Sequence, residues 1–373
     1  MTDSTAPVIG ILGGYGRVGA AAARTLAAEG GHRLRIGGRD ATAAWSLARR
    51  LGGDTEAAVV DTADSQSVTH FSRGCATVLD CTGTAFALRG RVRREVAATG
   101  GHYVAMADDG APRTPSGPCT AVLFTGPSAT FAGWLPRRLG AGLAAAHRFT
   151  GWYDGPGTGP LDAAVTCLLG LRRAGHGPRA VDCPPPPAPW GPSWPLPARP
   201  GTVRRGLPEE LQEQTYLLRL DTGAWYEAFH GTAVPAVLDA FAARSEWDDD
   251  GTLLAAAQQL VRAGRGTPRG SRGLTVCGTL DGLTAEGTAV RRGMLLGCTE
   301  PTALLGALAA VAVREVTAGR VPPGVHSLAA TLPTEDTDWI SRHLPRATVR
   351  MTEVLTGASE MMPSAPTAAP QPG

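Results

Sequence analysis

The most constraining feature of the sequence is a glycine pattern near its start, where Val8–Gly19 reads VIGILGGYGRVG. Gly14, Gly16 and Gly19 have the spacing G-x-G-x-x-G, between an apolar run typical of a buried strand and an Ala-rich stretch typical of a helix. There the first glycine permits a tight turn, the second lets the backbone approach a pyrophosphate, and the third lets helix and strand pack closely. Because 49 glycines produce such spacings by chance, it is this context that predicts a dinucleotide site.

The first 125 residues alternate between short apolar runs and helical patterns. Predicted strands are Val8–Leu12, Arg33–Ile36, Ala57–Val60, Thr77–Asp80, Tyr103–Met106 and Ala121–Phe124, and predicted helices are Arg17–Glu29, Ala41–Leu51, Ser65–Cys75 and Leu88–Ala98. Strands separated by helices of about 10–15 residues indicate βαβ units and a parallel sheet. We therefore predict an α/β fold whose residues 1–125 form a doubly wound Rossmann domain.

After Gly126 the rhythm changes, and residues 126–298 are predicted to form a second, α+β domain for substrate binding or dimerisation. Its predicted elements are the helices Phe131–Ala145 and Leu161–Ala174 and a hairpin of Gly273–Leu280 and Thr284–Val290 that turns at Asp281-Gly282. Residues 299–350 hold an apolar helix, Glu300–Thr317, which Thr299 caps and which returns to the first domain.

Two segments are rich in proline. Pro184–Gly201 is incompatible with a helix interior or a central strand and is read as a surface loop, or else as a loop whose Trp190 and Trp194 cover a substrate mouth. Residues 356–373 are predicted to be disordered because they are rich in Pro, Ala and Ser.

The chain contains no lysine, so all 35 residues counted as lysine or arginine are arginines. Schiff-base chemistry, a Tyr-x-x-x-Lys pair and a Walker lysine are therefore excluded. A guanidinium group suits phosphate binding but does not act as a general base near neutral pH. The composition thus leaves arginine as the phosphate ligand and excludes the lysine-dependent enzyme classes.

Charge and cysteine content narrow the class of protein further. A formal net charge of +2 predicts that neither nucleic acid nor a membrane surface is a partner. The seven cysteines form no Cys-x-x-Cys pair, and their odd number argues against a disulfide framework; no metal site is predicted. Met1–Pro7 is polar and no apolar stretch reaches about 20 residues, so cytoplasmic localisation is expected.

The end of the second predicted strand indicates which dinucleotide is bound. NAD sites place an acidic residue there for the ribose 2′-hydroxyl, whereas this strand ends in Gly37, Gly38 and Arg39, with Asp40 one step further on. Small residues leave room for a 2′-phosphate, and Arg39 can pair with it unless it is an ordinary surface arginine. We therefore predict NADP(H) as the cofactor.

Further cofactor-binding residues are predicted from position alone, because ligands of such folds lie at the carboxyl ends of strands. Tyr15, Arg17 and Val18 belong to the glycine loop, Asp61 ends the third strand, and Cys81, Thr82 and Gly83 follow the fourth. Cys81 is favoured as a small packing residue over a nucleophile.

These segments resemble the saccharopine dehydrogenase-like family. The resemblance rests on GGYGRVG, IGGRD, VLDCTG and HYVAMADD (His102–Asp109), more loosely on FTGPSATFAGWLPRRLG, and on GRVPPGVHS, Gly319–Ser327. It implies NAD(P)-dependent chemistry at a carbon–nitrogen bond, and some relatives reduce thiazoline rings in siderophore or other natural-product pathways. It implies the fold and cofactor better than the substrate.

Candidate catalytic residues must supply a proton or hold a charged nitrogen. Asp108, beside Asp109, follows a strand at its carboxyl end and otherwise caps a turn. Tyr153 flanks the first strand after the Rossmann domain, as does His147. His230 lies four residues after Tyr226 in WYEAFHG and would share a face with it in a helix, as ordinary buried aromatics also would.

Three functions remain open. The first is NADPH-dependent reduction of a C=N bond, with a thiazoline as the most specific candidate, in a small or carrier-protein-tethered metabolite. The second is reduction of a C=C bond by a trans-acting enoyl reductase. The third is a non-catalytic NADP(H)-binding sensor or scaffold. A homodimer is a further expectation.

Overall fold

A computed structural model describes residues 6–83, 86–110, 117–155, 159–174, 179–180, 202–243, 250–266, 273–335, 338–344 and 346–355. The proline-rich loop with Trp190 and Trp194 and the tail from residue 356 lie outside the described residues.

The described strands and helices are numbered in chain order. The strands are β1 (Val8–Leu12), β2 (Arg33–Gly38), β3 (Thr55–Val59), β4 (Cys75–Asp80), β5 (His102–Ala105), β6 (Thr120–Leu123), β7 (Ala145–Asp154), β8 (Arg179–Ala180), β9 (Thr202–Gly206), β10 (Thr222–Phe229), β11 (Leu274–Leu283), β12 (Ala289–Cys298), β13 (Gly324–Ser327) and β14 (Thr348–Leu355). The helices are α1 (Arg17–Glu29), α2 (Ala41–Leu51), α3 (Ser65–Ser72), α4 (Phe86–Ala98), α5 (Pro127–Gly140), α6 (Leu161–Ala174), α7 (Glu209–Leu217), α8 (Ala233–Ala242), α9 (Asp250–Gly266), α10 (Pro301–Thr317), α11 (Leu328–Thr331) and α12 (Asp338–His343).

The first sheet is parallel and has the strand order β13-β6-β5-β4-β1-β2-β3. Consecutive strands lead outwards in both directions from β1, so the order reverses between β1 and β4. This is the doubly wound arrangement, in which ligands lie at the carboxyl ends of the strands near the reversal. The predicted Rossmann fold class is confirmed.

The second sheet is mixed and has the order β14-β12-β11-β7-β10-β9-β8. Only β7 and β10 run parallel, in a register that pairs Tyr153 with Glu227, whereas the other neighbours are antiparallel. Helix α5 packs against one face of this sheet and follows directly from β6 of the first. The two sheets are therefore joined by a helix that starts at the carboxyl edge of the parallel sheet.

Helix α10 lies in the centre of the largest hydrophobic core and packs on α1. A Cβ at Gly306 would lie 2.4 Å from the Cβ of Ala21, so only glycine allows the two helices to approach this closely. The prediction that this helix returns to the first domain is confirmed. The predicted cap is wrong, because Glu300 and not Thr299 is the N-cap residue and it makes no side-chain capping bond.

The hairpin of β11 and β12 turns later than predicted. Asp281 is a strand residue that pairs with Arg291, and the turn is formed by residues 284–288. The Asp-Gly dipeptide resembles a turn, but here the Asp281 carboxylate is buried and accepts two hydrogen bonds from Arg291, at 2.5 and 3.0 Å. A buried cross-strand ion pair thus replaces the predicted turn.

Two helical readings of the sequence differ from the structure, one in its bounds and the other, which was only one possibility, in its type. The helix expected over Phe131–Ala145 is α5, which ends at Gly140, and Ala145 already starts β7. The segment WYEAFHG is not helical, because Tyr226 lies within β10 and His230 just after it. None of the described helices is long and apolar enough to cross a membrane.

Candidate functional site

The glycine loop between β1 and α1 has the geometry that a pyrophosphate site needs. Gly13 has a φ of +67°, and Gly16 donates its N–H to the Gly13 carbonyl at 2.9 Å. A Cβ at Gly19 would lie 2.4 Å from that same carbonyl oxygen, and a Cβ at Gly16 would lie 3.1 Å from it. The first N–H groups of α1 have no partner inside the helix, and the glycines that precede them carry no side chain that would keep a pyrophosphate away from these donors.

The end of β2 carries glycines and an arginine at the place where an NAD site usually has an acid, and the nearest acid is Asp40. A Cβ at Gly38 would lie 2.2 Å from the ring of Tyr15, so Tyr15 covers this glycine. Asp40 donates its N–H to the Tyr15 hydroxyl at 3.1 Å, and its carboxylate accepts the N–H of Ala43 at 3.0 Å as the cap of α2. The acid nearest to the strand end therefore stabilises a helix start.

Two arginines flank this region, Arg39 directly after β2 and Arg17 at the start of α1. Arg39 and Arg17 are exposed, and neither makes a hydrogen bond or ion pair within the described parts of the chain. Unpaired arginines beside a glycine loop and a helix N-terminus provide the donors and the charge that a 2′-phosphate requires. The residues present therefore fit a phosphorylated dinucleotide.

Asp61 lies two residues beyond β3, at the same carboxyl edge. Its carboxylate accepts the N–H of Ala63 at 3.0 Å, and its own N–H is donated to the Ser67 hydroxyl at 3.1 Å. Asp61 thus shapes a turn, and its contact with a cofactor stays a prediction.

The turn after β4 is held by a buried carboxylate. Asp80 accepts the N–H of Thr82 at 2.9 Å, the Thr82 hydroxyl at 2.5 Å and the Tyr103 hydroxyl at 2.8 Å. Burial raises the pKa of Asp80, while these hydrogen bonds oppose the shift. The turn touches the glycine loop, since a Cβ at Gly13 would lie 3.0 Å from the Cys81 carbonyl.

Cys81 itself is not activated. Burial, with a smaller contribution from Asp80, raises the pKa of its thiol far above the ordinary value. A thiol that stays protonated is a poor nucleophile, which favours the packing role of this residue.

Asp108 is fully buried in an ion pair and links the two parts of the molecule. Its Oδ2 lies 2.7 Å from Nη1 of Arg173 on α6, and its Oδ1 accepts the N–H of Gly110 at 2.9 Å. The Asp108 carbonyl accepts a hydrogen bond from Arg89 at 2.8 Å. Both oxygens of the carboxylate are engaged, so its predicted role beside a substrate nitrogen competes with a structural one.

Tyr153 lies beside a carboxyl group that the sequence reasoning missed. Glu227 is its partner on β10, so both side chains point to the sheet face on which α5 lies. Ser128, the second residue of α5, donates its hydroxyl to Oε1 of Glu227, and Trp225 donates its indole N–H to the Ser128 hydroxyl at 2.9 Å. Burial raises the pKa of Glu227, opposed by Ser128 first and then by Arg204.

Cys167 of α6 lies near Glu227 and Tyr153, and its side chain is exposed. Burial nevertheless raises the pKa of the Cys167 thiol to about 12, with the charge of Glu227 as the second cause. Ser128, Tyr153 and Glu227 are each partly exposed, so solvent reaches this group of side chains. We call the space bounded by Ser128, Tyr153, Cys167 and Glu227 the acidic cleft.

His230 lies at the same end of the second sheet but outside the acidic cleft. Its Nε2 is 3.0 Å from Oδ1 of Asp154, which is buried and has its pKa raised by that burial. Tyr153 and Asp154 are consecutive strand residues and therefore point to opposite faces. The predicted proton donors Tyr153 and His230 share an edge of the sheet but not a face.

Glu227 and Ser128 could have been found from the sequence by reading WYEAFHG with a period of two. In that pattern Trp225, Glu227 and Phe229 share one face, which places a carboxyl group in an apolar row. Ser128 follows Gly126 and Pro127, which mark the start of α5, so its position at the carboxyl edge of the first sheet could also have been predicted.

Comparisons with known proteins place the chain by its fold. No protein-family model matches it, and no curated protein matches it. Among solved structures, the saccharopine dehydrogenase (L-Glu forming) of Saccharomyces cerevisiae aligns over 93% of this chain and 100% of that chain, with 13% identity and a TM-score of 0.55.

Two matches are shorter. A serine dehydrogenase of Escherichia coli aligns over 28% of this chain and 62% of that chain, with 13% identity and a TM-score of 0.24. An actinorhodin polyketide ketoreductase with NADPH aligns over 29% of this chain and 55% of that chain, with 17% identity and a TM-score of 0.26. At these identities the first match shows a shared fold across both domains, and the other two add no argument.

Proposed function

We propose that this protein is an NADP(H)-dependent oxidoreductase that reduces a C=N bond in a small or carrier-tethered metabolite. The observation that carries the proposal is the end of β2, where Gly38, Arg39 and a capping Asp40 replace the acid of an NAD site beside a glycine loop of the required geometry.

The residues that would hold the cofactor follow the edge of the first sheet. The loop from Gly14 to Gly19 and the start of α1 face the pyrophosphate, and Arg39 with Arg17 faces the 2′-phosphate. The turn Cys81–Gly83 lies on the other side of β1, towards the nicotinamide end. When bound, the reduced cofactor supplies a hydride, and the protein supplies orientation and a proton.

Three points support C=N over other acceptors. The sequence resembles a family that acts at carbon–nitrogen bonds, and the fold matches a saccharopine dehydrogenase along that chain's full length. The absence of lysine excludes the Tyr-Lys pair of one carbonyl-reductase class. The acidic cleft offers a carboxyl group to a basic nitrogen, which a C=C acceptor does not need.

The proposal is tested by incubating the protein with NADPH deuterated at the transferred position and with a panel of cyclic and acyclic imines, thiazolines included. We expect substrate-dependent NADPH oxidation and, by mass spectrometry, one deuterium on the former imine carbon. The Gly16→Val variant is the control, because its side chain occupies the place of the pyrophosphate, and we expect it to remain folded and inactive.

Two results would contradict the proposal in different ways. Deuterium found only in a saturated thioester, with every imine unchanged, would make the protein an enoyl reductase. Tight NADPH binding without turnover of either substrate class would make it a sensor or scaffold.

A further inference from the structure

The acidic cleft lies at the nicotinamide end of the predicted cofactor site. The strand order puts β2 and β3 on one side of β1 and β4, β5 and β6 on the other. The adenosine end belongs with β2, so the nicotinamide end belongs with β4 to β6. Ser128 lies in the first turn of α5, the helix that follows β6, and donates to Glu227, which ties this carboxyl group to the nicotinamide side.

We propose that Glu227 is a catalytic acid, which gives its proton to the nitrogen of a bound imine. This inference rests on the proposed function and names the group that completes its chemistry. Because Ser128 binds Oε1, the proton is assigned to Oε2.

The step balances with the hydride stated above. The O–H bond of Glu227 breaks and an N–H bond forms, while the C=N π bond is lost and the carbon takes the hydride of the reduced nicotinamide. Glu227 remains as a carboxylate, and water in the cleft returns its proton. The product is an amine, so the cleft must also release a basic group.

The groups that face Glu227 make it the most suitable acid among the described residues of the cleft. Burial raises the pKa of its carboxyl group, opposed by Ser128, Arg204 and Trp225, and a raised pKa favours the protonated form that a general acid needs. Tyr153 is less suitable, because burial and the neighbouring Glu227 raise the pKa of its phenol well above 10. Tyr153 is thus a hydrogen-bond donor that orients the nitrogen.

Burial raises the pKa of the Cys167 thiol to about 12, and the charge of Glu227 is the second cause of this shift. It therefore reports on Glu227 independently of catalysis, since it is exposed and can be alkylated.

A structural alternative explains the same contacts, because Ser128 and Glu227 also clamp α5 to β10. A matched pair exists in the fold: Thr125, on the same connection, donates to Oε1 of buried Glu210 at 2.6 Å. Glu210→Gln removes an equivalent buried carboxyl group and serves as the control for a purely structural effect.

The experiment compares Glu227→Gln, Glu227→Asp and Glu210→Gln in the full chain, by NADPH affinity, thermal unfolding and the pH profile of imine reduction. In the wild type the rate falls as pH rises through the pKa of the acid, because only the protonated form donates. In Glu227→Gln we expect unchanged NADPH affinity, a rate lower by about 10²–10⁴-fold and loss of that limb of the profile. Glu227→Asp should restore part of the rate and the fall of the rate at high pH.

Alkylation of Cys167 by iodoacetamide, followed by mass spectrometry of its peptide, gives a readout without substrate. We expect faster alkylation at a fixed pH above neutrality in Glu227→Gln, because loss of the nearby negative charge lowers the thiol pKa, and no change in Glu210→Gln. Equal alkylation rates in wild type and Glu227→Gln would overturn the placement of Glu227 in the cleft.

The two proposals fail in distinguishable ways. A wild-type protein that reduces no imine overturns the proposed function and the acid role with it. An active wild type whose Glu227→Gln variant keeps its rate and pH limb, or loses no more than Glu210→Gln, overturns the acid role alone.

Discussion

Replacement of Arg39 by alanine tests the cofactor assignment most directly. Arg39 is exposed at the end of β2 and makes no hydrogen bond or ion pair within the described residues, so its removal breaks no contact there that stabilises the fold. Any loss of affinity can therefore be assigned to the ligand. We expect Arg39→Ala to weaken NADPH binding and to leave NADH binding nearly unchanged.

The magnitude follows from the kind of contact and its exposure. A hydrogen bond between charged groups contributes about 1.5–3 kcal/mol, roughly tenfold to a hundredfold in Kd. An exposed pair is screened by water and salt, which places the expected loss in the lower half of that range. The preference for NADPH should therefore decrease as the ionic strength is raised.

The assay is fluorescence titration of both cofactors into wild type, Arg39→Ala and Arg24→Ala. Arg24 is also exposed and lies on α1, about 10 Å along the helix from Arg17 at 1.5 Å per residue, so it controls for the loss of one positive charge. An equal loss for NADPH and NADH, or an equal effect of Arg24→Ala, would remove Arg39 from the 2′-phosphate site.

Two further predictions concern buried charges. Asp108→Asn should lower the free energy of unfolding by about 3–5 kcal/mol in denaturant titrations, because Arg173 loses its buried partner. Unchanged unfolding with turnover reduced by about 10²–10⁴-fold would instead support the predicted role of the Asp108 carboxylate beside the substrate nitrogen. Burial raises the pKa of Glu315, but Arg320 and Arg314 outweigh it and lower the pKa, so its stabilising contribution is present above the unfolded-state pKa and is lost as pH falls through the folded-state value. Glu315→Gln should therefore destabilise the protein at neutral pH and have little effect well below about pH 4, and a pH-independent difference would contradict this reasoning.

The first sheet was largely predictable because its signals are local. Buried parallel strands read as continuous apolar runs and the intervening helices are rich in alanine, so β1, α1 and α2 begin and end where the sequence pattern predicts. The second sheet was less predictable. Its β10 carries aromatic and charged residues that fit a helical period as well as a strand, and the Asp281-Gly282 pair lies inside a strand because Arg291 compensates the buried charge.

The cofactor half of the candidate site could be proposed from the sequence for the same reason, since its candidate residues belong to one continuous loop and to the ends of neighbouring strands. The acidic cleft is assembled from α5, α6, β7 and β10, which are distant in sequence. No local pattern brings Ser128 to Glu227, which lies 99 residues further along the chain. Only the register of β7 with β10 identifies Tyr153 and Glu227 as neighbours.

The two ends of the proposed site have opposite electrostatic requirements, and this chain must meet both without lysine. A 2′-phosphate needs a cation that stays charged, and a guanidinium does so even when it is exposed, as Arg39 and Arg17 are. A substrate nitrogen needs a proton that can be given up, and without a lysine ammonium group a carboxylic acid whose pKa is raised by burial is a suitable donor. Arg39 and Arg17 are exposed near the glycine loop, whereas burial raises the pKa of Glu227 in the acidic cleft. In the proposed site, an exposed guanidinium and a desolvated carboxyl group therefore take the two roles that lysine fills in other enzymes.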